Sequence, residues 1–390
     1  MKMIGKNLSR SRIAISFFYF IAGLIFASWA SRIPDIRTSL SLSDGDLGKI
    51  LFAIPTGQLS MMLISGYAVT KFGSRKILPL SILLYAIALL LIAIPNGSGT
   101  IFLVLFFFGT AANIVNIALN TQACGLEALY QRNIMASFHG LWSLGGFLGG
   151  IVGAVLAQAG YSILTHFAFI AVVSVMMALI AGKNLISDSS TAKSNDGESR
   201  KRLIRFDLPL ILLGLIGFAG MFCEGTMFDW SSVYFATVIK PEGAFIRLGY
   251  IASMGTMTLG RFIADRFVYR YQAPKVLTFC GLLITSGLLL ATAFPNLIVA
   301  TLGFMLIGLG VSSIVPICYS ESGRLQNIPA SVAITIVSSI SFVGFMIGPP
   351  LMGLLSEATN LRVALGIASS FGILIVFFTR KFKNIKNRNL

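Results

Sequence analysis

The chain reads as an all-α membrane protein with twelve transmembrane helices in two six-helix pseudo-repeats. Three observations carry that expectation. Twelve apolar stretches, each of roughly 20 residues or more, fill the sequence, and about 20 apolar residues cross the hydrocarbon core as a helix. The composition is 56% hydrophobic and only 11% charged, with mean hydropathy +0.85, whereas soluble domains carry about 25% charge. Landmarks of the first half also recur about 200 residues later. In lipid every backbone polar group must be satisfied within its own segment, so each apolar run is read as a helix.

The spans fall at 13–31, 46–70, 76–95, 100–128, 134–158, 161–182, 207–237, 244–267, 275–294, 297–322, 329–356 and 361–380. The longest of them call for tilt or a break in the helix. The start, Met1 to Arg12, is basic and runs straight into the first span with no small-residue cleavage site, so no removable leader is expected. Basic residues set the orientation. With the amino terminus inside, the cytoplasmic side receives Lys2, Lys6, Arg10, Arg12, Lys71, Arg75, Lys76, Arg132, the central linker, Arg261, Arg266, Arg270, Lys275, Arg324 and the tail from Arg380 to Arg388. The other side keeps Arg32, Arg37, Lys49, Lys240, Arg247 and Arg362, six of the 30 Lys and Arg. That asymmetry is the positive-inside signal and places both termini in the cytoplasm.

Residues 183–206 differ in kind. The run SDSSTAKSNDGES at 187–199 cannot bury a core and reads as a flexible linker. RKRLIRF at 200–206 either lies along the membrane surface or continues a solvated linker. The expected organisation is a six-helix bundle over 1–182, a cytoplasmic linker over 183–206 and a second bundle over 207–390.

Several function classes are excluded. The formal charge of +16 sits in short segments between spans, not on a basic stripe with interleaved aromatics, so nucleic acid is not an expected partner. The four cysteines lie in apolar runs with no CxxC pair, and His139 and His166 are the only histidines. No metal site is expected. There is no Walker loop, HExxH or GxSxG, so neither ATP-driven transport nor enzymatic activity is expected, and no cofactor.

The halves echo one another. Ala27-Ser28-Trp29-Ala30-Ser31 is matched by Phe228-Asp229-Trp230-Ser231-Ser232, an offset of about 201 residues. The loop Lys71–Arg75 is matched by Asp265–Arg270, and the glycines at 145–153 by Gly344, Gly348, Pro349, Pro350 and Gly353. Two parallel repeats enclosing a cavity is the architecture this describes.

With those motifs in view, the chain resembles the major facilitator superfamily over essentially its whole length. The superfamily's loop between helices two and three matches Gly66–Lys76, except that Thr70 stands where an acid is usual. The second copy keeps Asp265 beside Arg266 but lacks the second glycine. The resemblance implies a gate latched through Lys71, Gly73, Arg75, Arg261, Asp265 and Arg266, with Thr70 weakening the first copy. Residues 120–145 and 347–353 are similar to a poorly characterised bacterial inner-membrane branch, the YbjJ type, distantly related to fucose permeases. That similarity implies an inner-membrane location and a proton-coupling role for Glu127. The permeases' acid in helix one has no counterpart; Trp29 and Arg32 stand there instead.

Span four carries Asn113, Asn116, Asn120, Cys124 and Glu127 at steps of 3, 4, 4 and 3, one face of a helix. Amides facing lipid are costly, so the stripe faces a cavity or serves as interhelical glue. Glu127 is either a proton site or an interfacial partner of Arg132. In span seven Glu224 lies about 17 residues from the start, and an acid at that depth is a functional candidate by default, its alternative being a structural pair with Arg32. Asp229 lies nearer the outer end and is read as guarding the entrance. His139 is a second proton-coupling candidate beside Glu127, or a packed core residue. Trp29 and Trp230 occupy equivalent positions and are candidate solute platforms, as is Trp142, or plain packing. Gln58, Tyr319 and Glu321 are weaker candidates for the cavity or its gates. The expected function is secondary transport of a small polar, hydroxyl-rich solute by alternating access, coupled to protons, by a monomer. Proton-driven efflux of an amphipathic compound is the alternative; the resemblance implies a Gly-Pro signature in helix five for the superfamily's drug–proton antiporters, and no proline occurs here between Met135 and Gly160.

Overall fold

The computed structural model describes residues 2–95, 97–130, 134–186, 208–325 and 330–388, and these are helical almost throughout, with no strand among them. The helices are α1 (Lys2–Ser31), α2 (Ile33–Ser39), α3 (Asp44–Leu51), α4 (Ala53–Phe72), α5 (Ser74–Leu91), α6 (Ser98–Tyr130), α7 (Met135–Gln158), α8 (Ile163–Gly182), α9 (Leu208–Tyr234), α10 (Leu248–Tyr271), α11 (Ala273–Ala293), α12 (Leu297–Val311), α13 (Ile314–Gly323), α14 (Ala330–Ala358) and α15 (Leu361–Arg388). Among the described residues eleven helical stretches are long and apolar enough to cross a membrane. The eighth expected span is present as α10, which carries Arg261, Asp265, Arg266 and Arg270 toward its end. The linker from 187 to 206, including its surface-lying stretch, and Arg132 lie outside the described residues.

Two spans are broken, while the long spans four and eleven run unbroken as α6 and α14. Span two is α3 and α4 with a step at Phe52, and span ten is α12 and α13 with a step at Ser312–Ser313. α9 passes into a π-helical turn, Phe235–Ile239, which closes at Lys240 in the left-handed region (φ 52°). Boundaries follow local chemistry. Ser43, Ser162 and Asn296 accept the first free N–H groups of α3, α8 and α12. Gly73, at φ 86°, makes the tight turn from α4 to α5 that a β-carbon would resist.

The described contacts form two compact units. The first comprises Met1–Trp29 and Ala53–Arg205; the second comprises Ala30–Phe52 and Phe206–Leu390. Their internal pairings repeat. In the first unit α4 packs on α6 and α5 on α8; in the second α10 packs on α12 and α11 on α15. α1 meets α7 through glycines, since a β-carbon on Gly23 would lie 2.0 Å from the Trp142 carbonyl and one on Gly145 2.1 Å from that of Phe20. α9 meets α14 in the same way, Gly344 lying against the Phe218 carbonyl at 2.1 Å by the same measure. Spans 1–5, 2–4 and 3–6 thus recur as 7–11, 8–10 and 9–12. This is the doubling anticipated from the landmarks, held by the close backbone approach that small residues permit in membranes.

Candidate functional site

The first unit holds a chain of polar groups. The Tyr19 hydroxyl, on α1, donates to Asn120 Oδ1 at 2.7 Å, and Asn120 Nδ2 donates to Asn116 Oδ1 at 2.9 Å. Asn116 and Cys124 are exposed and Asn113, Asn120 and Glu127 half-buried, so the predicted stripe is one open face of α6. Among the described residues Asn113 Oδ1 is buried without a partner. Tyr19 also stacks on Phe138 (5.3 Å between centroids) and meets the exposed His139 edge-on at 5.5 Å. A tyrosine, two amides and an imidazole therefore gather at one place, with Asn113 and Cys124 on the same face of α6. Sequence does not single out Tyr19, because one tyrosine in an apolar span leaves no polar period to detect.

Glu127 has a role that neither sequence reading gives. Its Oε2 accepts the backbone N–H groups of Ile134 (2.8 Å) and Met135 (2.9 Å). It caps the start of α7 from the preceding helix, where free N–H groups and the helix dipole favour a negative charge. Arg132, its suggested partner, is outside the described residues.

At the loop after α4, Lys71 and Arg75 are exposed. Lys71 lies over the rings of Tyr67 and Phe72, at 5.3 and 5.4 Å. Thr70, which replaces the acid, turns its hydroxyl back onto the Gly66 carbonyl at 2.9 Å. The buried Gln122 ties this region together. Its amide nitrogen donates to Ser74 Oγ at 2.8 Å, and its Oε1 accepts the Ile186 N–H at 3.0 Å. Gln58 and Trp142 are half-buried, the latter tilted against Phe26 at 5.9 Å. Trp29 is fully buried against Phe108 (6.5 Å), with no partner for its indole N–H among the described residues.

In the second unit Glu224 pairs with Arg261, Oε1 to Nη2 at 2.9 Å, their side chains only 8% and 14% exposed. The partner is thus the α10 arginine and not Arg32. Beside the pair is a crevice lined by Met227, Phe228, Met254, Met257 and Val311. Asp229 is buried; so is Trp230, whose indole N–H also lacks a partner among the described residues. Tyr319 is half-buried, Glu321 is buried 3.5 Å from Arg324, and Arg266 is exposed. The side chain of Asp265 lies outside the described residues.

Residues 30–52 are knitted into this second unit. Arg247 donates Nε to the Ser31 carbonyl (2.7 Å) and its guanidinium to the Asp35 carboxylate, which also faces Arg32 at 3.7 Å. Asp44 receives Arg37 (2.5 Å) and the Ser356 hydroxyl, and Glu357 accepts the Gly45 N–H at 2.9 Å. Gly48 and Gly353 touch backbone to backbone; a β-carbon on Gly48 would lie 2.9 Å from the Gly353 Cα. Of the six basic residues expected on the outer side, Arg32, Arg37, Lys49 and Arg247 are ion-paired, and Arg362 donates to the Thr292 and Ala293 carbonyls. Sequence shows these charges but not their partners, and the contacts here span up to 312 residues.

This is a helical membrane protein built as a doubled six-span unit with polar side chains held inside it. A family model described as the Major Facilitator Superfamily matches residues 15–322. The chain belongs to that superfamily. This transporter is 32% identical over 351 residues to an uncharacterised MFS-type transporter of Yersinia pestis, covering 89% of each chain. It is 30% identical over 382 residues to the membrane protein MosC of Rhizobium meliloti, covering 96% and 91%. Its fold matches the solved nucleoside transporter NupG, in a point-mutant form, with TM-score 0.79 at 13% identity, covering 95% of this chain and 99% of that one. It is a multi-pass membrane transporter, not an enzyme.

Proposed function

We propose that this transporter carries a small, polar, hydroxyl-rich solute across the bacterial inner membrane, coupled to protons, with both termini cytoplasmic and a monomer as the working unit. The observation that carries the reading is the chain Tyr19–Asn120–Asn116 ending in an exposed amide. Amides and hydroxyls both donate and accept, which suits a solute with several hydroxyls. A carrier of amphipathic compounds needs an apolar lining, and the open face of α6 is the reverse. A nucleoside, the cargo named for the NupG fold neighbour, is a solute of the proposed kind.

Energy coupling is assigned to an acid of α9, because that helix brings two buried carboxyl groups into the second unit. The orientation follows the basic residues: the exposed Arg75, Arg266 and Arg380 lie on the side that the positive-inside bias makes cytoplasmic.

The test is a thermal-shift panel of hexoses, nucleosides, organic acids and amphipathic cations on purified protein, followed by uptake into proteoliposomes. A stabilising ligand raises the melting temperature by mass action. Hexose or nucleoside hits, weakened about 5–10-fold by Tyr19→Phe as one hydrogen bond of about 1–1.5 kcal/mol is lost, support the reading. Hits confined to amphipathic cations, or affinity indifferent to Tyr19→Phe and Asn116→Leu, overturn it.

A further inference from the structure

We propose that Asp229 is the group that carries the transported proton, and that it sits here as a neutral carboxylic acid. The carrier role rests on the proton-coupled reading above; the neutral state does not.

Asp229 is 6% exposed within α9. Among the described residues it makes no hydrogen bond and no ion pair. Glu224, five residues earlier on the same helix, is equally buried but meets Arg261 at 2.9 Å. The two acids therefore differ in the one respect that decides charge.

The elements packed on α9 are α2, α10, α12, α13, α14, α15 and the 3-10 turn Gly243–Arg247. Arg266 and Arg270 near the end of α10, and Arg380, Lys381 and Lys383 in the second half of α15, are exposed, and the side chain of Asp265 lies outside the described residues. The other charged groups described on these elements have partners of their own. Arg37 on α2 holds Asp44, and Asp35 on α2 binds Arg247 from the turn. Arg261 on α10 holds Glu224. Glu321 on α13 faces Arg324, Glu357 on α14 accepts the Gly45 N–H, and Arg362 on α15 caps the carbonyls ending α11. α12 carries no charged residue. Tyr250 on α10 lies within electrostatic reach of Asp229, and its hydroxyl is buried and unpaired among the described residues. A carboxylate with no cation and no donor, removed from water, is far more costly than the acid form, so the group keeps its proton.

The surroundings supply the other half of a carrier. Thr226 and Ser232, three residues to either side and so on the same helical face as Asp229, have buried hydroxyls without partners among the described residues. With Tyr250 they are donors in waiting. None bonds the carboxyl here; a rearrangement that aims them at it favours the ionised form. α9 has a place to rearrange. The π-helical turn Phe235–Ile239 begins six residues beyond Asp229 and ends at left-handed Lys240, and such turns recur at functional sites. On opening, the O–H bond breaks, its electron pair stays on Oδ and the proton passes to water.

The test is the infrared spectrum of the full-length protein in nanodiscs at neutral pH, in H2O and D2O, where a buried carboxylic acid shows an isotope-sensitive C=O band. The wild type is expected to show the band, Glu224→Gln to keep it, and Asp229→Asn to lose one carboxyl's worth of its area. Asn mimics the neutral acid in shape and needs no charge partner, so the fold is retained. A band absent from the wild type, or unchanged in Asp229→Asn, overturns the proposal. The coupling reading is read separately, by uptake of labelled hexoses and nucleosides with and without a pH gradient. A wild-type flux indifferent to the gradient removes the carrier role, while the band alone decides whether Asp229 is neutral. Gradient-driven accumulation that survives Asp229→Asn removes Asp229 from coupling.

Discussion

Replacing Glu224 with Gln should destabilise the second unit sharply, and replacing Arg261 as well should restore most of the loss. The pair is a charge-assisted hydrogen bond of 2.9 Å between side chains 8% and 14% exposed. Removing one member leaves the other charge buried and uncompensated, which costs about 3–5 kcal/mol. Removing both with groups of similar volume is close to neutral. With about 2–4 °C per kcal/mol for a unit of this size, Glu224→Gln should melt of the order of 10 °C lower. The assay is a double-mutant cycle on purified protein, Glu224→Gln, Arg261→Met and both, by thermal melting and by detergent unfolding. Coupling above about 2 kcal/mol is expected, because residues in direct contact fail additivity on that scale. A single variant within about 0.5 kcal/mol of the wild type, or a double variant no better than the worse single one, refutes the reasoning.

Other perturbations test other parts. Glu127→Ala removes the acceptor of two N–H groups at the start of α7 and should cost about 1–2 kcal/mol, as loss of a cap does; faster amide exchange at Ile134 and Met135 reads it directly. Gly145→Ala drives a β-carbon to 2.1 Å from the Phe20 carbonyl and should cost about 1–3 kcal/mol in melting experiments. Gly66→Ala meets nothing within 4 Å and should be neutral or stabilising by up to about 1 kcal/mol.

The span pattern was legible because lipid imposes it: a long apolar run has few alternatives to helix. The doubling was legible because Trp29 and Trp230, and the glycines of spans five and eleven, fall at one period. Breaks at Phe52 and Ser312–Ser313 were not, since the residues there are not helix breakers and tertiary packing sets the step. Nor was the docking of residues 30–52 into the second unit, which depends on Asp35–Arg247, Asp44–Ser356 and Gly45–Glu357 contacts across the sequence. At the site, the asparagine stripe on α6 was visible because helical periodicity betrays a polar face. Its anchor Tyr19 was invisible because it comes from another helix. Glu127 looked like a coupling acid by resemblance, and the free N–H groups it caps appear only once α7 is placed. Arg261 was read as part of the cytoplasmic gate, and its pairing with Glu224 appears only once α9 and α10 are packed.

The central claim is that the Asn116 face of α6 meets water and solute while the opposite face meets lipid. Cysteine accessibility tests it most directly. In a protein with its four native cysteines replaced, Asn116→Cys should react quickly with a charged, lipid-insoluble thiol reagent. Phe107→Cys, nine residues earlier and so half a turn around the same helix, should react at least ten-fold more slowly. The reverse order, or equal and slow labelling at both positions, contradicts the account.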